Sequence, residues 1–221
     1  MEQHAVKAYK GMGMEGAVAR WYARNTLRDL DEFKQLARRI SEELPAGSQI
    51  LEVAPGPGYL AVELARQGRY QVAAIDISES FVEIARKNAA KANVAVDFQQ
   101  GNASAMSFES GRFDLVVCRA AFKNFSEPVK ALGEMWRVLK PGGRALIIDL
   151  RRDVSPRAVN QYIDKMGVGF LNGLAMKLTF RFMLIKRAYT KAEFQEFAAQ
   201  TPFPRYEINE GPIGFEVWFH K

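Results

Sequence analysis

The chain has 221 residues, of which 48% are hydrophobic and 25% charged, and this is enough apolar material for one globular domain with a full core. Its single cysteine excludes an intrachain disulfide, and no uncharged stretch approaches the roughly 20 residues of a transmembrane helix. The net charge of +6 is compatible with a nucleic acid, a membrane surface or an anionic ligand as partner, and equally with a solvated basic surface. No signal peptide is evident, so we expect a cytoplasmic protein.

The first 45 residues are predicted to be helical, because apolar side chains recur at helical spacing in 14–24 and 28–44. Short apolar runs then alternate with helical segments. The predicted strands are 49–54, 71–76, 94–99, 113–118 and 144–150, and the predicted helices between them are 60–67, 80–92 and 129–139. After residue 150 the alternation stops. Residues 156–187 and 191–200 are predicted to be helical, and 205–209 and 213–219 to form two strands.

This alternation of strands with helices predicts an α/β, Rossmann-like fold. The strands are apolar on both faces, as in a parallel sheet that helices cover on both sides. Ligands in such sheets bind at the carboxyl ends of the strands, near the point where the strand order reverses. Residues that directly follow the predicted strands are therefore the candidates for a functional site.

The most informative segment is 50–60, where a predicted strand runs into a glycine-rich turn that opens a helix. Gly56 and Gly58 have no Cβ, so a ligand can approach the backbone closely at this turn. Asp76 ends the next strand, 20 residues after Gly56, where a carboxylate can accept hydrogen bonds from ribose hydroxyls. The pattern predicts a cofactor that contains a nucleoside.

Two cofactor classes fit the turn. Gly56, Gly58 and Ala61 match the dinucleotide spacing G-x-G-x-x-A. Glu52, however, lies inside the strand, four residues before the first glycine, where a dinucleotide site needs no acid and a cofactor with a cationic amino group does. The second half of the chain also lacks a recognisable nicotinamide half-site, so the dinucleotide interpretation is disfavoured.

The wider pattern resembles one family. The segments are LEVAPGPG at 51–58, AAIDIS at 73–78, GNASAMSF at 101–108, and FDLVVCRAAFKNF at 113–125 followed by RVLKPGGRALIID at 137–149. In this order and spacing they resemble the class I S-adenosylmethionine-dependent methyltransferases, of the group similar to the ubiquinone and menaquinone C-methyltransferases. The resemblance implies a single domain with a seven-stranded, mostly parallel sheet and an antiparallel C-terminal strand. The implied domain comprises a helical cap (1–45), a cofactor-binding core (46–150), a helical insertion (151–200) and a C-terminal strand pair (201–221).

The resemblance also implies the cofactor, S-adenosyl-L-methionine, with S-adenosyl-L-homocysteine as product. The implied cofactor-binding residues are Glu52, Ala54, Gly56, Gly58, Asp76, Ile77, Asn102, Ala103 and Cys118. Glu52 and the glycine turn would face the methionine part, Asp76 would hold the ribose, and Ile77 would lie against the adenine. Asn102 and Ala103 would meet the adenine edge. Relatives usually have Asp where this chain has Asn102, but an amide oxygen also accepts a hydrogen bond from the adenine amino group.

The candidate catalytic residues are Tyr22, Arg119 and Lys123. Cys118 and Arg119 would lie beside the transferred methyl group. Related sequences often carry histidines around the positions of Lys123 and Asn124, and this chain has no histidine in the predicted sheet to act as general base. Tyr22 or Lys123 could serve instead, as could His4 if the N-terminal segment folds over the site. No metal site is predicted.

Four cations, Arg119, Lys123, Arg151 and Arg152, follow two neighbouring predicted strand ends that border the expected substrate mouth. They suit a small anionic acceptor such as a carboxylate or phosphate, or they pair with Asp149 and Asp153; both interpretations stay open. We predict in-line methyl transfer to a small molecule, with RNA methylation, or cofactor binding without methyl transfer, as alternatives. Neither a nucleic-acid partner nor stable membrane insertion is expected. The apolar segment 174–187 suits a lid, a homodimer face or a membrane surface.

Overall fold

The computed structural model describes residues 9–10, 13–165, 170–180 and 184–221. Within these residues the strands are β1 (Gln49–Val53), β2 (Gln71–Asp76), β3 (Asp97–Gln100), β4 (Phe113–Arg119), β5 (Leu139–Leu150), β6 (Arg205–Glu210) and β7 (Gly214–His220). The helices are α1 (Gly16–Thr26), α2 (Leu30–Glu43), α3 (Tyr59–Arg66), α4 (Glu79–Ala92), α5 (Pro128–Val138), α6 (Pro156–Lys165), α7 (Phe170–Thr179), α8 (Ile185–Arg187) and α9 (Lys191–Ala199).

The strands form a seven-stranded sheet in the order β3-β2-β1-β4-β5-β7-β6. Strands β1 to β5 pair in parallel, and β7 runs antiparallel between β5 and β6. The predicted mixed sheet with an antiparallel C-terminal strand is therefore confirmed. The strand order reverses between β1 and β4, and this point is where a parallel sheet of this type offers a binding crevice.

Helices cover both faces of the sheet, as predicted. On one face α2, α3 and α4 pack apolar side chains against Ile50, Ala74 and Val117. On the other face α5 and α9 pack against Leu51, Val116 and a row of further strand residues. Because both faces are buried, successive strand residues are all apolar, and the strands were recognisable as continuous apolar runs.

Two strand boundaries differ from the sequence prediction by more than two residues. Strand β3 begins at Asp97 and not at residue 94, because Asn93 ends α4 in a left-handed conformation and the N–H of Val94 returns to the Ala89 carbonyl at 3.1 Å. Strand β5 begins at Leu139, before the Pro-Gly-Gly turn. Leu139 pairs with Phe113 of β4 ahead of a shift in register, and the turn is held at the end of β7 because the N–H of Gly142 donates to the carbonyl of Lys221 at 2.9 Å.

The insertion after β5 folds as helices, as predicted, and its described part packs beside the carboxyl end of that strand. Val159 and Ile163 of α6 form a small core with Leu150 and Ile213. Leu174 and Leu178 of α7 are exposed, and residues 181–183 of the segment 174–187 lie outside the described residues. Across the described part of the chain, no helix has the length and apolar character needed to span a membrane.

Candidate functional site

The turn between β1 and α3 leaves open space at the carboxyl end of the sheet. Ala54, Gly56 and Gly58 all have a positive φ, and the N–H of Ala54 donates to the Ile75 carbonyl at 2.8 Å. Of the residues that the structure describes, only the Tyr22 ring, at 4.0 Å, would lie within 4 Å of a Cβ placed on Gly56. The backbone of the turn is therefore accessible to a ligand, and the Tyr22 ring lies next to it.

Asp76 ties this turn to the next helix. Its Oδ2 accepts from the N–H of Gly56 at 2.9 Å, and its Oδ1 accepts from the N–H of Ser78 at 2.9 Å. Burial raises the pKa of the Asp76 carboxyl to about 6, and the hydrogen bonds from Ser78 and Gly56 lower it only in part. The hydroxyl of Ser78 in turn caps α4, as predicted, by accepting from the N–H of Phe81 at 3.1 Å. The carboxylate thus lies at the end of β2 where the resemblance implies ribose binding.

Glu52 is a buried acid with an unused oxygen. The residue is 3% exposed, and its Oε2 has no hydrogen-bond partner among the described residues. Burial raises the pKa of this carboxyl to about 8, while the N–H of Ala61 and the charge of Arg119 lower it only in part. A buried polar atom without a partner is costly. The arrangement fits a cationic donor in a ligand bound over the turn.

The residues expected around an adenine lie beside β2 and β3. Ile77 is 41% exposed, so its side chain offers a free apolar surface. The Oδ1 of Asn102 accepts from the N–H of Ser104 at 2.9 Å, and Ala103 lies within the same short turn. An amide oxygen has two lone pairs. Asn102 can therefore hold this turn and accept one further hydrogen bond.

At the end of β4 the side chains of Cys118 and Arg119 point to different surroundings. Cys118 is fully buried in the core, and burial raises the pKa of its thiol well above the ordinary value. Arg119 donates to Oε2 of Glu32 at 2.6 Å, and its guanidinium lies 4.3 Å from the centre of the Phe33 ring. Arg119 therefore reaches the rim of the site, while the thiol of Cys118 is enclosed.

Lys123 is buried in an ion pair. Its Nζ donates to Oδ1 of Asp149 at 2.8 Å and to the carbonyl of Ala120, and its backbone N–H donates to Oδ2 of Asp149 at 2.9 Å. Ala120 itself has a positive φ of 59°, a strained conformation for a residue with a Cβ. The pair therefore connects the loop after β4 to the end of β5.

The other two cations also have acidic partners. Arg151 pairs with Asp153 at 2.7 Å and with Glu210, and Arg152 pairs with Glu193 at 2.5 Å. Together with the pairs of Arg119 and Lys123, every member of the predicted cation group contacts a carboxylate. The pairings with Asp149 and Asp153 were one of the two interpretations that the sequence left open.

The N-terminal segment lies over the site. The N–H of Gly16 donates to Ser80 at 2.9 Å, and the hydroxyl of Tyr59 donates to the carbonyl of Ala23 at 2.9 Å, which together hold α1 against α3 and α4. The Tyr22 ring packs against Phe81 at 5.6 Å between ring centres. These contacts agree with the predicted helical cap. His4 lies outside the described residues.

Tyr9 is a site residue that sequence reasoning missed. It forms a backbone bridge with Phe125, which follows the loop after β4. Burial raises the pKa of its hydroxyl, the charge of Arg187 opposes this, and Tyr22 and Asp76 raise it further. The next residue, Lys10, donates to the hydroxyl of Tyr189 at 2.5 Å. Tyr9 belongs to no motif, so only the folded chain brings it near Tyr22 and Asp76.

Comparisons with known proteins agree with this geometry. Residues 51–147 match the family described as methyltransferase domain. The demethylmenaquinone methyltransferase of Clavibacter sepedonicus is 39% identical over 127 residues, which cover 57% of this chain and 51% of that protein. An S-adenosyl-L-methionine-dependent Diels-Alderase of Talaromyces variabilis is 36% identical over 129 residues, which cover 52% of this chain and 42% of that protein.

The sheet and its helices also match a solved structure. A protein of Methanococcus maripaludis assigned as an S-adenosyl-L-methionine-dependent methyltransferase has a TM-score of 0.78 and 22% identity, with 96% of this chain and 95% of that chain covered. The chain spans about half the length of the curated relatives it matches, 51% and 42% in the two cases above. The sequence match is therefore confined to about half of the chain, whereas the structural match covers nearly all of it.

Proposed function

Since residues 51–147 match the family described as methyltransferase domain, we propose that this chain binds S-adenosyl-L-methionine and transfers its methyl group to a small molecule in the cytoplasm. The observation that carries the proposal is that two buried acids, on neighbouring strands, lie beside an accessible turn. Among the described residues, Glu52 offers an oxygen without a hydrogen-bond partner, Asp76 offers a carboxylate one strand away, and the backbone at Gly56 is accessible.

The residues present fit this cofactor. Glu52 would accept from the amino group of its methionine part, and the turn at Gly56 and Gly58 would leave room for the chain of the cofactor. Asp76 would hold the ribose hydroxyls. Ile77 would lie against the adenine ring, and Asn102 would meet its edge. When bound, the cofactor supplies an electrophilic methyl group on a sulfonium, and the protein's task is to orient the acceptor and exclude water.

We assign the protein's part in the reaction to residues at the ends of β4 and β5. An in-line displacement needs the acceptor opposite the sulfur, on the side that the insertion α6–α8 borders. Tyr22 covers the turn with a hydroxyl that can exchange a proton with an acceptor. Arg119 reaches the rim of the site, where it contacts Glu32. Lys123 holds the loop after β4 in place through its ion pair with Asp149. This arrangement suits an acceptor that enters between the cap and the insertion.

Replacement of Asp76 by alanine is expected to weaken binding of S-adenosyl-L-homocysteine at least tenfold. The change removes the ribose acceptor and leaves the N–H groups of Gly56 and Ser78 without their partner. Isothermal titration calorimetry measures the dissociation constant. Asp31, which is exposed and pairs with Lys34, provides the control, since Asp31→Ala should bind like the wild type. Tight binding of NAD with no response to S-adenosyl-L-homocysteine would refute the proposed cofactor.

Binding of S-adenosyl-L-homocysteine is also expected to release a proton from Glu52. With a pKa of about 8 the free carboxyl is mostly protonated at neutral pH, and a cationic amino group beside it favours the ionised form. The release should therefore approach about one proton at pH 6.5 and fall to about one half at pH 8. Calorimetry in buffers of different ionisation enthalpy measures this number. Glu52→Gln should abolish the release, and an unchanged release in that variant would contradict the assignment.

The finer proposal concerns the acceptor. We propose that it is a small anion held by Arg119, because Lys123 is enclosed with Asp149 whereas the partner of Arg119, Glu32, is half exposed and can be displaced. Arg119→Ala should lower kcat/KM for carboxylates or phosphates at least tenfold and leave neutral phenols unaffected. A panel of carboxylates, phosphates, thiols and phenols with labelled cofactor tests this, with Arg152→Ala as control. Methylation of neutral compounds only would exclude an anionic acceptor.

A second candidate is a reaction that needs the bound cofactor but not its methyl group. The observation that favours it is the Diels-Alderase relative, since a cycloaddition forms its bonds without a transferred methyl. Cofactor that is retained unchanged while an acceptor is converted would support this candidate over methyl transfer. RNA as acceptor and a homodimer stay predictions from the sequence.

A further inference from the structure

The outward surface of α1 and the turn after it is unusual in composition. Its exposed residues, here called the α1 outer face, are Ala17, Arg20, Trp21, Arg24, Leu27 and Arg28. Trp21 is 60% exposed and Leu27 is 51% exposed. Their spacing places them along one stripe of the helix, so a cationic and aromatic surface projects from the cap.

The arginines of this face form no ion pair with a carboxylate among the described residues. Residues 16–28 contain no Asp or Glu. Within the described part of the chain, none of the three guanidinium groups forms an ion pair, whereas arginines elsewhere, such as Arg39, Arg137 and Arg144, pair with carboxylates at 2.7 to 3.0 Å. An exposed indole and an exposed leucine among unpaired cations form a mixed apolar and cationic patch, which is the kind of surface that marks an interaction site.

We propose that the α1 outer face docks the protein on an anionic phospholipid surface. Arginine neutralises lipid phosphates, and tryptophan with a neighbouring leucine enters the boundary between headgroups and acyl chains. The net charge of +6 attracts the whole molecule to such a surface. This is peripheral docking by one exposed helix and does not require a membrane-spanning segment.

The charges argue against the two other occupants of this face. In a symmetric dimer the same patch would meet itself, so three arginines would face three arginines. Single-stranded nucleic acid needs several aromatic side chains in succession, and this face has one, with Leu27 as its apolar neighbour. The opposite side of α1 packs inward through Ala19 and Ala23. Docking would therefore leave the cap in place over the turn at Gly56.

Sedimentation with lipid vesicles tests the proposal. The full chain is expected to bind vesicles that contain about one third phosphatidylglycerol and not pure phosphatidylcholine, with binding weakened by salt. The test variant combines Arg20→Gln, Arg24→Gln and Arg28→Gln and should bind at least tenfold more weakly. The matched control combines Arg38→Gln, Lys130→Gln and Arg205→Gln, which are exposed cations on α2, α5 and β6, and loses the same charge.

Tryptophan fluorescence locates the contact. Lipids brominated in the acyl chains should quench part of the emission, and Trp21→Phe should remove that quenching, because Trp136 and Trp218 are partly buried elsewhere. The proposal is overturned if anionic vesicles do not bind the protein, or if the control triple variant loses as much binding as the test variant. It is also overturned if an oligonucleotide binds this face and vesicles do not. None of these outcomes depends on cofactor binding.

Discussion

Replacement of Lys123 by methionine should destabilise the protein by about 3 to 5 kcal/mol, since a buried charge is then left without its partner. Lys123 and Asp149 have side chains that are 6% and 2% exposed, and their atoms lie 2.8 Å apart. Methionine fills similar volume but leaves the Asp149 carboxylate facing only backbone donors. Guanidinium unfolding followed by circular dichroism measures the loss in free energy of unfolding.

A matched control separates the effect of leaving a buried charge without its partner from the effect of losing a more exposed ion pair. Lys140 and Asp114 lie 2.7 Å apart, with side chains that are 36% and 29% exposed, so Lys140→Met should cost no more than about 1 kcal/mol. Addition of Asp149→Asn to Lys123→Met should recover part of the lost stability, because a neutral amide needs no counter-charge and still accepts a backbone hydrogen bond. Equal losses for Lys123→Met and Lys140→Met would contradict the structural role given to the buried pair.

This role changes what Lys123 can contribute to the reaction. Sequence reasoning made it a candidate catalytic residue because relatives often have histidine near this position. In the folded chain its Nζ has two acceptors, Asp149 and the carbonyl of Ala120. We therefore treat Lys123 as a positioning residue for the loop after β4. Arg119 and Tyr22 stay the candidates for contact with an acceptor.

The fold was accessible from the sequence because each part of it has a local signal. The parallel core has strands that are apolar on both faces, and helices between them that are closed by Gly68 or begun by Ser78. The glycine turn and Asp76 follow the first two strands, so their meeting at one edge of the sheet follows from parallel pairing alone. This is why the meeting of the glycine turn with Asp76 could be predicted before the structure was known.

The residues proposed to lie on the acceptor side of the site have no such local pattern in the sequence. Lys123 and Asp149 are 26 residues apart, and their contact depends on how the loop after β4 turns at Ala120. Tyr9 reaches Phe125 across more than half of the chain. The start of β3 depends on the left-handed conformation of Asn93, which its residue type permits but does not require. Contacts of this kind are set by tertiary packing, which the order of residue types does not encode locally.

Replacement of Gly58 by alanine is expected to cost about 4 kcal/mol of stability, through backbone strain and overpacking together. Gly58 begins α3 with a φ of 77°, which a side chain disfavours. An added Cβ would also lie 2.7 Å from the Cβ of Ala85 and 2.9 Å from the Phe98 ring. Both neighbours are buried in the core on this face of the sheet, so neither can move away without disturbing α4 or β3.

Gly68 allows the two contributions to be separated. Its φ is 67°, close to that of Gly58, but an added Cβ would meet no atom of the described residues within 4 Å. Gly68→Ala therefore reports the backbone strain alone, about 1 kcal/mol, and the difference between the two variants reports the close contact with α4 and β3. Thermal or denaturant unfolding of both variants measures this difference. If Gly58→Ala proved no more destabilising than Gly68→Ala, the tight packing of the turn against α4 would be wrong, and so would the turn geometry on which the proposed cofactor site depends.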